Sequence, residues 1–308
     1  MRNILITGSN GFIGRSLVNY FLDKGDYVIG IDISSGSENK IDLKRYQFFC
    51  FELPSSELKS ILERFLPEII IHAAGSSSVP DSIINPEIDF QKSIVSLHSI
   101  LEGARKFSAN SLIVFTSSAA VYGNVNELPI SEDSQINPIS PYGYHKYLCE
   151  LLLDEYYKIY SIKSSILRLY SIYSHGLKNR IFWDVCLKAK ESKTITLFGT
   201  GDETRDYIHI KDFLQVVSLI IEKGEHNASR YNVANGIEVS TKELATKLIT
   251  NLGKGNELNF NEIVREGDPI RWVADLQKVK KLGYKQTLSI NEGLHQYADW
   301  FKSIVNDI

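Results

Sequence analysis

The chain has 308 residues, a formal net charge of −3, and 43% hydrophobic and 23% charged residues. This is ordinary globular composition, with core enough for one large domain or two unequal ones, and the mildly acidic balance argues against a nucleic-acid partner or a polybasic membrane surface. No apolar run is long enough to span a membrane, the start MRNILITGSN does not read as a secretory leader, and the three scattered cysteines (Cys50, Cys149, Cys186) show neither metal-ligand nor disulfide spacing, so a cytoplasmic protein without a metal is expected.

Strand-like and helix-like segments alternate through the first half. Asn3 to Thr7 is a short apolar strand ending in glycine, and Phe12 to Lys24 reads as an amphipathic helix. Tyr27 to Ile33 and Gln47 to Phe51 are the second and third strands, Pro54 to Phe65 a helix, and Glu68 to His72 a fourth, buried strand. A long helix over Pro86 to Lys106 precedes a fifth strand, Ser111 to Thr116. Repeating β-α units with near-continuous apolar strands predict an α/β fold, a doubly wound parallel sheet covered on both faces. After about residue 170 turn clusters such as Phe198-Gly199-Thr200-Gly201-Asp202 interrupt shorter elements. The expected division is a first domain over 1–172, with later crossover segments around 206–236, and a smaller α+β substrate domain over 173–308.

The first strand runs into Gly8-Ser9-Asn10-Gly11-Phe12-Ile13-Gly14 and then a helix. Glycines there permit a tight turn and close backbone approach to a pyrophosphate, and the helix N-terminus offers free N–H groups and partial positive charge. Gly8, Asn10, Gly11, Phe12, Ile13 and Gly14 are therefore the expected phosphate cradle of a Rossmann dinucleotide site. Asp32 ends the second strand, where a carboxylate can accept from the adenosine ribose hydroxyls and would repel a 2′-phosphate. No Arg or Lys follows it immediately, which favours NAD over NADP.

At the far end of the fifth strand stands Thr116-Ser117-Ser118-Ala119-Ala120-Val121-Tyr122-Gly123, and later Ser140-Pro141-Tyr142-Gly143-Tyr144-His145-Lys146 opens a helix. Tyr142 and Lys146 share a helix face by their i, i+4 spacing. A nearby ammonium favours the tyrosinate, which can take a proton from a substrate hydroxyl as the adjoining carbon gives up a hydride. A serine such as Ser118 can hydrogen-bond the same oxygen. Tyr-x-x-x-Lys also occurs at Tyr20/Lys24 and Tyr207/Lys211, but only the middle pair follows a serine-rich strand end on the sheet's carboxyl edge.

With these residues placed, nearly the whole chain resembles the extended short-chain dehydrogenase/reductase superfamily, in its NAD-dependent epimerase/dehydratase branch. The resemblance implies that the glycine loop holds the NAD pyrophosphate, Asp32 the ribose, and Glu52 and Leu53 the adenine side. Ala73, Ala74 and Gly75 would flank the cofactor, and Ser118, Tyr142 and Lys146 fall on the catalytic serine, tyrosine and lysine. Tyr142 and Lys146 would also contact the cofactor. Gly199 to His209 resembles the segment whose arginine, here Arg205, contacts a substrate diphosphate. Val264-Arg265-Glu266-Gly267-Asp268 resembles the segment that supplies a second such arginine, Arg265, with Asp268 beside it. A planar guanidinium suits both places. Ser78, Ser118, Ala119, Tyr142 and Ser171 complete the implied substrate contacts. Ser93 and Ser171 stand where the family usually has asparagine, and Ser76-Ser77-Ser78 replaces a family lysine. The family further implies a nucleotide-sugar substrate and a homodimer formed through the helices over Pro86 to Lys106 and Tyr142 to Tyr160.

The family's 4,6-dehydratases need an acid pair after the catalytic hydroxyl, and Ala119 and Ala120 occupy those positions, which argues against elimination of water. Two oxidoreductive readings remain, and Asp32 tilts the expectation to 4-epimerisation of a UDP-hexose on bound NAD. The alternative is NAD(P)H-dependent reduction of a 4-keto-6-deoxy sugar nucleotide. A decarboxylase acting on a UDP-uronate, or a non-catalytic nucleotide-binding module, stands further off.

Overall fold

The computed structural model of the protein describes residues 1–35, 44–263 and 267–305. A seven-stranded sheet is built from β1 (Asn3–Thr7), β2 (Tyr27–Asp32), β3 (Tyr46–Cys50), β4 (Ile69–His72), β5 (Leu112–Ser118), β6 (Ser164–Leu169) and an edge strand, Asn227–Val233. Their spatial order is β3-β2-β1-β4-β5-β6 and then the edge strand. Every pairing among β1 to β6 is parallel. Parallel neighbours need crossovers, so the sheet is covered on both faces and its strands are apolar throughout. Leu5, Ile29, Ile31, Ile70, Ile113 and Phe115 form one buried cluster with Leu62, Leu97, Leu101 and Leu153 of the helices Glu57–Phe65, Ser96–Phe107 and Pro141–Tyr160. The alternate residues Ile4, Ile6, Val28, Ile71 and Val114 are equally buried and, by the two-residue period of a strand, face the other side. This is the doubly wound Rossmann-like α/β fold expected from the alternating pattern.

The strand order reverses between β1 and β4. In open sheets of this kind ligands bind beyond the strands' carboxyl ends at such a switch point. The carboxyl ends here lead into Gly8 after β1, Ala73 after β4 and Ser118 at the end of β5.

Two helices differ from the sequence expectation. The helix expected from Pro54 starts at Glu57, because the Ser55 hydroxyl accepts the Glu57 N–H at 3.1 Å and so sets the first turn. The long helix expected over Pro86 to Lys106 is a helix at Pro86–Phe90, a π-helical turn at Gln91–Val95 and a helix at Ser96–Phe107. The π turn carries Ser93, buried in its interior.

The chain divides into two compact units. The first comprises Met1–Gly123, Ile136–Leu169 and Val217–Tyr231, the second Asn124–Gln135, Tyr170–Val216 and Asn232–Ile308. Segment Asn124–Gln135 groups with the second unit because Ile130 bridges to Ala274, and Glu132 accepts the Asn232 N–H at 2.8 Å. The second unit holds a three-stranded sheet (Ser171–Tyr173, Thr204–His209, Glu238–Ser240) and a parallel pair, Thr194–Leu197 with Glu257–Phe260. Its aromatic core stacks Tyr173 on Phe182 with Tyr207 and Tyr297 at their edges. Among the described residues no helix is long and apolar enough to cross a membrane.

Candidate active site

The strand β5 delivers Ser118 to the sheet edge, and a 3-10 turn, Ala119–Val121, follows at once. The Ser118 oxygen accepts the Ala120 N–H at 3.1 Å, which fixes the hydroxyl and leaves its proton to be donated elsewhere. Helix Pro141–Tyr160 begins against that turn. Gly143 faces the Ala120 carbonyl, where any side chain's first carbon would come within 2.6 Å, so glycine lets the helix approach Ser118's turn. Pro141 suits the first helical position, and the Ser140 hydroxyl caps the Gly143 N–H at 3.2 Å. Tyr142 thus stands half-buried in the first turn. One turn on, the buried Lys146 donates through Nζ to the Thr116 carbonyl at 2.9 Å, with its ammonium 5.0 Å from the Phe115 ring centre and 5.7 Å from that of Tyr142. Of the two other Tyr-x-x-x-Lys pairs, Tyr20/Lys24 lies on the helix Phe12–Asp23 and at its end, and Tyr207 lies in a strand.

The glycine loop is shaped by its neighbours. Gly8 takes φ +69°, and a Cβ there would crowd the Ala73 carbonyl at 2.9 Å and the Ala74 nitrogen at 2.8 Å, so the ends of β1 and β4 are in direct contact. Thr7 ties them further, its hydroxyl accepting the Ala74 N–H at 3.2 Å and bonding His72 Nδ1 at 2.8 Å. A side chain at Gly14 would overlap the Gly8 carbonyl. The helix Phe12–Asp23 has no side-chain cap and no acid in its first turn, which leaves its N-terminal N–H groups to an anion. Asp32 accepts the Asn10 N–H at 2.9 Å on one oxygen and the Ser34 N–H and hydroxyl at 3.1 Å on the other, so its carboxylate is fixed beside the loop. The Phe51 N–H reaches the Asp32 carbonyl at 3.0 Å, which brings exposed Glu52 and buried Leu53 to the same edge. An uncapped helix N-terminus, a loop with no room for a Cβ at Gly8 or Gly14 and a fixed strand-end carboxylate fit a dinucleotide: Gly8 to Gly14 would hold the pyrophosphate and Asp32 the ribose. Ser78 caps the short helix Val79–Ile84 by accepting the Asp81 N–H at 3.3 Å.

In the second unit Glu203 folds the glycine turn by accepting the Thr200 and Gly201 N–H groups at 2.9 and 3.0 Å. Asp206 pins the following strand by accepting the N–H groups of Asn235, Gly236 and Ala274 at 2.8 to 3.1 Å. Arg205 stands between them, its guanidinium 5.6 Å from the Trp272 ring centre and donating to the Thr204 carbonyl at 2.8 Å. Ser171 pairs in register with Tyr207. Asp268 is half-buried. Arg265 lies outside the described residues.

The sequence profile of the NAD dependent epimerase/dehydratase family matches residues 4–234. The chain belongs to this family. A UDP-glucose 4-epimerase from Mycolicibacterium smegmatis is 30% identical, over 97% of this chain and 98% of its own. The crystal structure of a UDP-glucose 4-epimerase with UDP-glucose from Thermotoga maritima superposes with a TM-score of 0.90 at 27% identity, covering 98% of this chain and 99% of that one. A UDP-glucuronic acid 4-epimerase from Bacillus cereus, in complex with UDP-glucuronic acid and NAD, gives 0.89 at 26% identity with the same coverage.

Within this family member, sequence reading missed a buried ion network behind the helix Pro141–Tyr160. Arg168 grips Glu150 through Nε at 3.1 Å and Nη2 at 2.8 Å, and donates to the Tyr122 hydroxyl at 2.9 Å. Ser117, next to Ser118, donates to Glu150 at 2.6 Å. Glu150 lies four residues after Lys146 and three before the buried Leu153, a helical spacing that could have marked it as core-facing. It also missed the buried Asp89, which pairs with His145 Nδ1 at 2.5 Å.

Proposed function

We propose that the protein is a UDP-hexose 4-epimerase that retains NAD through turnover. The observation that carries the reading is the Lys146 ammonium, held by the Thr116 carbonyl beside the Tyr142 ring, at the carboxyl edge where β5 presents Ser118. NAD, when bound, supplies a reversible hydride acceptor. The Ser118 hydroxyl would donate a hydrogen bond to the sugar's C4 oxygen and keep its proton. Tyr142, as its tyrosinate, would take the C4 hydroxyl proton as C4 is oxidised and would give it back when the ketone is reduced. The buried Lys146 ammonium stabilises the tyrosinate that must be present before this proton is taken, inside a site where its charge is little screened.

Asp32 supports NAD rather than NADP, because a 2′-phosphate beside its carboxylate would be repelled. Arg205 is the proposed partner of the substrate diphosphate, with Arg265 and Asp268 on the sequence resemblance alone. Ala119 and Ala120, both buried, have no proton to exchange, which supports epimerisation over 4,6-dehydration. Exposed Tyr144, Leu148 and Leu151 run along the helix Pro141–Tyr160, and exposed Ile84, Ile88 and Phe90 lie on the preceding helices. These residues support a homodimer through these helices.

The test is to denature freshly purified protein and quantify the nicotinamide nucleotide released. Near one NAD per chain is the expected result. A site that fills only when NADH or NADPH is added would overturn the reading and make 4-keto-6-deoxy sugar nucleotides the substrates to assay.

A further inference from the structure

The first turn of the catalytic helix is held by a hydroxyl from elsewhere in the fold. Pro141 has no N–H, and the Gly143 N–H is capped by the local Ser140. The Tyr142 N–H between them donates instead to Ser82 Oγ at 3.1 Å, across 60 residues of sequence. Ser82 is fully buried on the short helix Val79–Ile84, and its own proton goes to the Val79 carbonyl at 2.7 Å. A hydroxyl whose proton is committed in one direction presents its lone pairs in the other, here toward the Tyr142 N–H.

We infer that Ser82 is a positioning residue for Tyr142: its hydroxyl fixes the main chain from which the phenol projects, and so sets where the proton-transferring oxygen lies. The inference rests on the proposed role of Tyr142. A side chain as long as tyrosine acts as a lever. A tilt of about 10° at Cα moves the phenol oxygen by about 1 Å, and misplacement on that scale can cost about 100-fold in rate. The same bond ties Tyr142 to the helix capped by Ser78, a proposed substrate contact, so ordering of that short helix is passed directly to the catalytic turn.

The experiment compares Ser82→Ala, Ser82→Thr, Tyr142→Phe and the Ser82→Ala/Tyr142→Phe double variant in the full-length, NAD-loaded protein. Ser82→Ala is expected to raise hydrogen exchange at the Tyr142 amide at least about tenfold and to lower kcat about 10- to 100-fold, with KM and bound NAD unchanged. Ser82→Thr, which keeps the hydroxyl, restores both. In the Tyr142→Phe background Ser82→Ala removes nothing more from the residual rate, since residues acting through one group are not additive. Unchanged exchange and kcat in Ser82→Ala, or an additive loss in the double variant, overturns the inference. Should Ser82→Ala not fold, Ser82→Cys keeps the volume with a weaker acceptor: a smaller effect of the same kind supports the inference, and wild-type exchange at Tyr142 overturns it. Near-normal turnover by Tyr142→Phe would overturn the catalytic reading and this inference together. A dead Tyr142→Phe beside an unaffected Ser82→Ala would overturn the inference alone.

Discussion

The ammonium of Lys146 stands 5.7 Å from the centre of the Tyr142 ring while donating at 2.9 Å to the Thr116 carbonyl, so the lysine is fixed by the strand that carries Ser118. The proposed proton transfer by Tyr142 can be tested apart from cofactor binding. Tyr142→Phe removes only the phenolic proton site. It is predicted to keep wild-type NAD content and to lose about 10²- to 10⁴-fold in kcat, the usual share of acid–base catalysis. Steady-state rates on protein of known NAD content check this.

The proposed diphosphate contact, Arg205, packs against Trp272. The guanidinium is 5.6 Å from the indole centre, and Tyr170 packs its ring edge-on to that indole at 5.9 Å. Arg205→Ala is predicted to raise the KM for a UDP-sugar about 10- to 100-fold, the worth of a charge-assisted phosphate contact, with bound NAD unchanged. Trp272→Leu should give a smaller rise of the same kind, since it loosens the arginine without removing it. Calorimetric titration with UDP reads both, and equal losses of UDP and NAD binding would show Arg205 to be a structural residue.

Glu150 is completely buried against Arg168, and Arg230 reaches it as well at 3.5 Å while pairing with Asp154. Removing one partner leaves a buried guanidinium without its counter-charge. Glu150→Gln is therefore predicted to lower the unfolding free energy by about 3–5 kcal/mol in urea titration. A change below about 1 kcal/mol would mean that water or another acid compensates the charge.

Acid stability follows from the buried imidazoles. Burial pushes His72 down to about 3, helped by the Lys146 ammonium, and pushes His209 down to about 4. The unfolded chain takes protons on both as pH falls through the ordinary value of 6.5, while the native protein does not until pH approaches those lower values. The unfolding free energy therefore falls as pH drops below 6.5. Asp206, raised to about 6 by burial, acts in the opposite sense, so the imidazole contribution is read as a difference between proteins. His72→Asn is predicted to be less stable at pH 7 but to have a shallower loss between pH 6.5 and 4 in thermal melts. Parallel pH profiles would contradict it.

What the sequence revealed was what local pattern encodes. Period and punctuation placed β1 to β5 to within a residue or two, because each strand is a short apolar run closed by a turn. The glycine turn after β1 and the shared helix face of Tyr142 and Lys146 were legible because both depend on fixed spacing along the chain. What stayed hidden depends on tertiary contact. Nothing in Val79-Pro80-Asp81-Ser82 points to Tyr142, and nothing in Arg168 names Glu150, until β5, β6 and the catalytic helix are packed together. The π turn at Gln91–Val95 was not legible in the sequence, whose pattern predicts one continuous helix over Pro86 to Lys106.

The most direct test of the central claim is to incubate the purified protein, with no cofactor added, with UDP-galactose or UDP-glucose and follow the sugar's anomeric protons by NMR. The account predicts that each sugar converts to a common equilibrium mixture of the two, and that Tyr142→Phe leaves each one unchanged. Failure of the NAD-loaded protein to interconvert them, or conversion that consumes added NADPH stoichiometrically, would contradict it.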